Sequence, residues 1–232
     1  MLAVLASTPA AAQISVSEMV VDLKPDQPLH DLVVGNVGDE IAYVQIDIIE
    51  ILNPGTPEQS YIEGRPAAEA GLLTTPNRLV LNPGERAVVR IAPIERLTDR
   101  DRVYWVRVKP VVGAVESEQS VIHVLFGYDV LTIVRPPTAT PSYTIERVGN
   151  RITARNDGNT MIEFAYGEQC DATGANCTPA PGKRLYAGIE WSAELPRDAP
   201  VISARRPARR GGWGLAMTIS SIPPAGEVAA AG

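Results

Sequence analysis

The chain is 232 residues long, with 21 basic and 27 acidic side chains and a formal net charge of −6 at pH 7. This acidic balance argues against binding to nucleic acid or anionic lipid, whose phosphates attract basic surfaces. The 20 prolines and 19 glycines favour many short strands joined by turns over long helices.

The amino-terminal segment is apolar and ends in small residues. Residues 1–12 read MLAVLASTPAAA, with Ala10 and Ala12 spaced as the A-x-A signal that precedes leader cleavage. We therefore expect a signal peptide remnant over residues 1–12 and an exported protein that begins at Gln13, in a compartment that permits disulfides. The alternative is a disordered amino-terminal tail.

Short apolar or alternating segments follow, separated by turn residues such as those at 36–39 and 82–84. The predicted strands are residues 14–23, 29–34, 42–52, 78–81, 86–91, 103–108 and 120–134. Strands at this spacing predict an immunoglobulin-like β-sandwich over residues 13–135.

A proline-rich segment then divides the chain. Residues 136–141 read PPTATP, and proline removes ladder donors and stiffens the backbone, so this segment is predicted to be a linker. Strand patterns resume and predict a second, smaller β-sandwich over residues 142–222. Residues 223–232 are small and featureless and are predicted to be a disordered tail. The predicted fold class is all-β.

Two cysteines lie close together in the second half. Cys170 and Cys177 flank six residues dominated by turn formers, so they are predicted to form a disulfide across a hairpin. A metal site would need more ligands nearby, and none are predicted.

No catalytic residue is predicted. The sequence has no G-x-S-x-G elbow, no H-E-x-x-H pair and no phosphate-cradling glycine loop. Its two histidines, His30 and His123, are isolated. We therefore expect neither enzyme activity nor a cofactor.

Three segments have the order and spacing of a known family. Residues 77–91 read NRLVLNPGERAVVRI, residues 99–108 contain an acidic–basic pair before a strand, and residues 121–136 form an apolar run that ends in Arg-Pro. Together they resemble the periplasmic pilus-assembly chaperones of the PapD-like family. Over residues 142–222 the resemblance rests on strand order and the hairpin disulfide. It implies two immunoglobulin-like β-sandwich domains set at an angle, in the periplasm.

The resemblance also implies a binding mode. Such chaperones donate their G strand to a pilin-like fibre subunit whose own sandwich lacks a strand. Within residues 120–134 the one charged side chain is Asp129, so one apolar row is expected on an exposed edge. The alternative is a central strand buried on both faces. The side chains that match donor positions are Ile122, Val124, Phe126 and Tyr128. The resemblance also makes an outer-membrane usher a candidate partner. A second copy of the chain, paired as a self-dimer through the same exposed edge, is a further candidate.

One feature of the family is missing. Its members carry an arginine and a lysine that bind the client's terminal carboxylate, and these positions fall on Val20 and Leu131 here. The candidate replacements are Lys24, Arg107, Lys109 and Arg135. The alternative is a grip exerted mainly through the strand.

The sequence also contains a basic cluster, and the chain as a whole has a second interpretation. The four arginines within residues 205–210 suggest a docking patch for an acidic partner, or else a solvated hairpin tip. The second interpretation is a two-domain β-sandwich adhesin or secreted structural scaffold without chaperone activity.

Overall fold

The computed structural model describes residues 13–94, 98–111, 126–164, 167–171, 173, 176–196, 216–217 and 228–231. The predicted signal peptide remnant and the basic cluster at 205–210 lie outside these residues. No helix among the described residues is long and apolar enough to cross a membrane.

The chain divides into two compact units, and the first ends at Ile133, two residues before the predicted end of the first domain at residue 135. The connections Asn53–Ser60 and Leu97–Arg102 group with the second unit. The prediction placed both connections in the first domain, because sequence order alone assigns a loop to the strands that it joins.

The first unit contains two sheets and a short helix. Its elements are β1 (Ile14–Val16), β2 (Val20–Leu23), β3 (His30–Asn36), β4 (Ala42–Leu52), β5 (Ser60–Glu63), α1 (Ala67–Ala70), β6 (Leu72–Thr75), β7 (Arg78–Leu81), β8 (Arg86–Pro93), β9 (Arg102–Pro110) and β10 (Tyr128–Val134). One sheet has the order β1-β3-β8-β6, and the other has the order β2-β10-β9-β4-β5, with β7 also paired to β4.

The predicted first strand, residues 14–23, is two strands in different sheets. β1 pairs antiparallel with β3, whereas β2 lies beside β10 in the other sheet. The chain therefore crosses from one sheet to the other at residues 17–19, a break that an apolar pattern does not reveal.

Side chains alternate between the core and the outer face of each sheet. On β9, Tyr104, Val106 and Val108 are fully buried, and Arg107 between them is half-buried on the outer face. The buried Tyr104 hydroxyl donates to the carbonyl of Ala70 at 2.9 Å. This alternation, with each buried polar group bonded, is typical of an antiparallel sandwich.

The second unit is also built from strands. Its elements are β11 (Tyr143–Val148), β12 (Arg151–Asn156), β13 (Ile162–Phe164), β14 (Gly167–Gln169), β15 (Thr178–Ala180), β16 (Lys183–Leu185), β17 (Glu190–Glu194), β18 (Ala216–Met217) and β19 (Val228–Ala231). The sheet orders are β17-β12-β11-β19, β16-β13-β18 and β14-β15. Its main core cluster is Ile145, Ala154, Ile162, Phe164 and Leu185. The all-β prediction is confirmed.

The predicted disordered tail is wrong for Val228–Ala231. These residues form β19, which pairs antiparallel with β11, with Tyr143 opposite Ala231 and Glu146 opposite Val228. Alanine-rich sequence has little intrinsic preference for strands. The open margin of β11 supplies the backbone partners instead, which is a tertiary effect.

The predicted disulfide is confirmed. Cys170 and Cys177 are bonded across the hairpin of β14 and β15. Beside the disulfide, the Asp171 carboxylate accepts hydrogen bonds from the Thr173 amide at 3.0 Å and from Asn176 Nδ2 at 2.7 Å. Closing so short a loop stabilises the fold by about 2–3 kcal/mol.

Each unit contains the same buried asparagine arrangement. Asn36 ends β3, where its Nδ2 donates to the carbonyls of Glu40 at 2.6 Å and Leu81 at 3.0 Å and its Oδ1 accepts from the Gly38 amide at 3.0 Å. In the second unit, Asn156 ends β12 in the same way. The three partners of Asn156 are Thr160, Leu185 and Gly158, at 2.8, 2.8 and 2.9 Å. Each asparagine therefore ties the end of one strand to its following turn and to a second strand.

Candidate functional site

The candidate site is the segment that enters β10, of which the structure describes Phe126 and Gly127. β10 is the second half of the predicted strand 120–134, to which the donor residues were assigned. Between Tyr128 and Val134 the strand lies between β2 and β9, and Val130 is fully buried. β10 therefore lies inside its sheet, whereas the sequence predicted an exposed edge for this part of residues 120–134. Ile122 and Val124 lie outside the described residues.

Exposure rises steeply toward the start of this strand. Val130 is fully buried, Tyr128 is half-buried, and Phe126, of the same alternating parity, is 67% exposed. The Tyr128 hydroxyl donates to the carbonyl of Ile14 at 3.1 Å, which joins the row to β1 of the other sheet. The apolar row that faces the core thus reaches the surface at Phe126.

Gly127 lies close to the backbone of β9. A Cβ atom placed on Gly127 would lie 3.2 Å from the carbonyl oxygen of Val108 and 3.5 Å from Cβ of Lys109. Both distances join Gly127 to β9, so a side chain at this position would push against the neighbouring strand. The backbone of Gly127 therefore lies against β9 at a distance that leaves little room for a side chain.

An ion-pair network covers the outer face beside this segment. Arg107 Nε donates to Asp129 Oδ1 at 2.8 Å and its Nη2 donates to Oδ2 at 3.2 Å, while its Nη1 reaches Glu63 Oε1 at 3.3 Å. The hydrogen bond to Asp129 raises the pKa of Arg107. One guanidinium therefore connects β9 to β10 on one side and to β5 on the other.

Two other predicted anchors are also engaged within the chain. Lys109 Nζ lies 2.6 Å from Asp47 Oδ2. Burial alone would raise the pKa of Asp47. The hydrogen bonds from Lys109 and Gln45, together with the charges of Lys109 and Arg107, outweigh this effect and hold the pKa below its ordinary value. Arg135 is only 5% exposed and bonds Asp101 at 3.0 Å. Arg135 thus has a structural role, and the structure does not support it as an anchor.

The fourth candidate, Lys24, is exposed in the tight turn that follows β2, where its carbonyl accepts from the Gln27 amide at 3.0 Å. Val20 and Leu131, which match the family's basic positions, belong to adjacent strands, and the Leu131 amide donates to the Met19 carbonyl at 3.0 Å. Both side chains are half-buried. The family's anchor positions are therefore close together here but aliphatic.

The sequence interpretation missed the network around Arg107. Asp129 was visible as the single charged side chain of residues 120–134, which is a usable signal. Its partner Arg107 lies 22 residues away along the chain, and only the order of strands identifies it.

One curated protein matches a short part of the chain in sequence. No protein-family model matches the chain. Over 70 residues it is 34% identical to a CS1 fimbrial protein of Escherichia coli, one of the subunits of that fimbria, in a match that spans 29% of this chain and 29% of that protein.

Solved structures match over a larger part of the chain. The class 5 fimbriae chaperone CfaA is 24% identical, with a TM-score of 0.59 over 81% of this chain and 89% of that one. A chain of the Salmonella enterica SafA pilin–SafB chaperone complex is 16% identical, with a TM-score of 0.58 over 85% of this chain and 93% of that one. The protein therefore has the two-domain, all-β fold of the fimbrial chaperones.

Proposed function

We propose that this protein is a periplasmic chaperone that binds a pilin-like fibre subunit by β-strand addition along the segment entering β10. The observation that carries the proposal is the position of Phe126, which is 67% exposed at the end of a core-facing apolar row. Soluble proteins normally avoid leaving such a row at the margin of a sheet. The fold shared with solved fimbrial chaperones supports the same conclusion.

The binding mode follows from strand chemistry. In β-strand addition, main-chain hydrogen bonds supply affinity and alternate side chains fill pockets of the partner. Phe126, together with the sequence-predicted Ile122 and Val124, has the alternation that this mode needs, and Tyr128 ends the row where β10 begins. Full burial of one such aromatic side chain contributes about 1.5–3 kcal/mol, so Phe126 is a strong candidate for an anchor of the complex.

The state of the basic side chains beside the segment favours binding of the client by strand pairing rather than by a charged anchor. Arg107 and Lys109 already bind carboxylates of the same chain, and Arg135 is buried. Val20 and Leu131 offer no charge. We therefore propose that the client is held mainly by backbone pairing and apolar pockets, with delivery to an outer-membrane usher as the next step.

The first prediction concerns Phe126→Glu. The mature protein is expressed in the periplasm together with its neighbouring exported reading frames, one of which is expected to encode the pilin-like subunit. The wild type is expected to co-purify with the subunit and to protect it from degradation. The variant is expected to lose the complex, because a carboxylate would have to be buried without a partner in an apolar pocket.

The control for this experiment is Val88→Glu. Val88 is 48% exposed on β8 of the other sheet, so this variant introduces the same charge at an exposed apolar position away from the site. It is expected to retain the subunit. Normal retention by Phe126→Glu, with both variants folded by circular dichroism, would place the client site elsewhere.

The second prediction concerns the protein without its client. Pairing of two copies through the proposed edge would hide the exposed row, so the free protein is expected to dimerise reversibly at high concentration. Phe126→Glu is expected to remain monomeric. Sedimentation equilibrium across a range of concentrations measures both species, and a wild type that stays monomeric throughout would contradict self-association.

A further inference from the structure

We propose that Arg107 and Asp129 are positioning residues that fix the register of the segment entering β10, and so determine which side chains face the client. This inference rests on the proposed function, because the register of the segment affects binding only if a strand of the client pairs with it. The observation that supports it is the two-point ion pair between Arg107 and Asp129, the residue that follows Tyr128 of the apolar row.

The geometry of the pair is specific. Asp129 follows Tyr128 directly and faces the outer side of the sheet, where both of its oxygens accept from Arg107 at 2.8 and 3.2 Å. A bidentate fork fixes orientation as well as distance. Because Arg107 is also held by Glu63 at 3.3 Å, its guanidinium is itself restrained and can serve as a fixed reference for β10.

Register is the property that such a pair controls. Side chains alternate along a strand, so a slip of one residue moves every side chain to the opposite face. That slip would turn Asp129 toward the apolar core and turn Phe126 and Tyr128 to the outer face. A slip of two residues would place Gly127 or Leu131 opposite Arg107, and neither side chain can accept from a guanidinium.

Gly127 provides a second, independent restraint on the same register. A Cβ at this position would lie 3.2 Å from the carbonyl oxygen of Val108, which is tighter than ordinary van der Waals contact. A slip of one residue would bring Phe126 or Tyr128, each with a Cβ, to this close approach. The glycine and the ion pair therefore favour the same alignment through different forces.

The chain offers a matched control pair. Arg90 and Asp31 also form a two-point ion pair, at 2.8 and 2.9 Å, between β8 and β3 of the other sheet. Removing that carboxylate changes the same chemistry without touching β10. Comparison of the two aspartates thus separates a loss of register from a general loss of one surface ion pair.

The experiment compares Asp129→Asn with Asp31→Asn in the full chain. The probe is the co-purified pilin-like subunit, and the rate measured is its exchange onto excess labelled wild-type protein. Asp129→Asn is expected to release the subunit about tenfold faster, the size of a lost charge-assisted interaction. Asp31→Asn is expected to change the rate less than about twofold.

A double-mutant cycle tests whether the two residues act together. Arg107→Gln combined with Asp129→Asn is expected to release the subunit no faster than the more affected single variant, since either change alone breaks the pair. Thermal unfolding midpoints of Asp129→Asn and Asp31→Asn are expected to match, which a purely structural role of Asp129 would not produce.

Two outcomes are decisive. Equal release rates for Asp129→Asn and Asp31→Asn, with the wild type holding the subunit, would overturn the register inference and leave the proposed function intact. A wild type that never retains the subunit would overturn the proposed function, and the inference with it.

Discussion

Replacement of Arg135 by leucine is expected to destabilise the second unit by about 3–5 kcal/mol. The Arg135 and Asp101 side chains are 6% and 4% exposed, with Nη1 and Oδ2 3.0 Å apart. The same Nη1 donates to Thr160 Oγ1 at 2.8 Å and to the Met161 carbonyl at 3.2 Å. The buried Asp101 carboxylate keeps its hydrogen bonds from Thr160 Oγ1 and the Met161 amide. It loses the charge of Arg135, and this loss of charge compensation in a buried site is the source of the destabilisation.

Urea unfolding of the full chain measures this effect, with Trp191 in the second unit as one fluorescence reporter. The control is Arg151→Leu, which breaks an exposed pair with Glu194 at 3.3 Å in the same unit. It is expected to shift the unfolding midpoint little, because exposed ion pairs contribute little to stability. Similar midpoints for the two variants would contradict the buried-pair account.

Replacement of Asn36 or Asn156 by alanine is expected to cost its own unit about 3–4 kcal/mol. Each asparagine makes three hydrogen bonds to the backbone and is at most 1% exposed. A typical hydrogen bond contributes about 1 kcal/mol, and buried partners left unsatisfied add a desolvation cost. Two carbonyls and one amide would lose their partner at each site.

Because the two asparagines occupy different units, the two variants also test how the units unfold. Asn36→Ala is expected to lower the stability of the first unit and Asn156→Ala that of the second. Asn82→Ala serves as the control, since its amide bonds Glu85 at 2.9 Å on the surface. If either buried variant is as stable as Asn82→Ala, its hydrogen bonds contribute little to the fold.

The strands that were predicted at their observed bounds are those with strong local signals. β4 (Ala42–Leu52) and β7 (Arg78–Leu81) combine apolar alternation with turn residues at their ends, and both features are local. β5 and β6 were missed because their short segments have little alternation. They are strands because neighbouring strands satisfy their backbone groups.

The candidate site divides in the same way. Phe126 and Tyr128 were predicted from alternation and from the family resemblance. The burial of Val130 and the exposure of Phe126 depend instead on the strands that pack beside β10, which are distant in the chain. Arg135 was visible as a basic side chain beside the linker. That it is buried against Asp101, 34 residues away, depends on the packing of the second unit.

Sequence alone therefore determined the all-β class, the hairpin disulfide and the apolar composition of the segment before β10, because each depends on residues adjacent in the chain. Tertiary structure alone decided which charged side chains form ion pairs within the chain. It also decided that β10 lies between two other strands of its sheet and that residues 228–231 form a strand. These outcomes depend on contacts between distant segments, and a local pattern of side chains does not specify which distant partner will satisfy it.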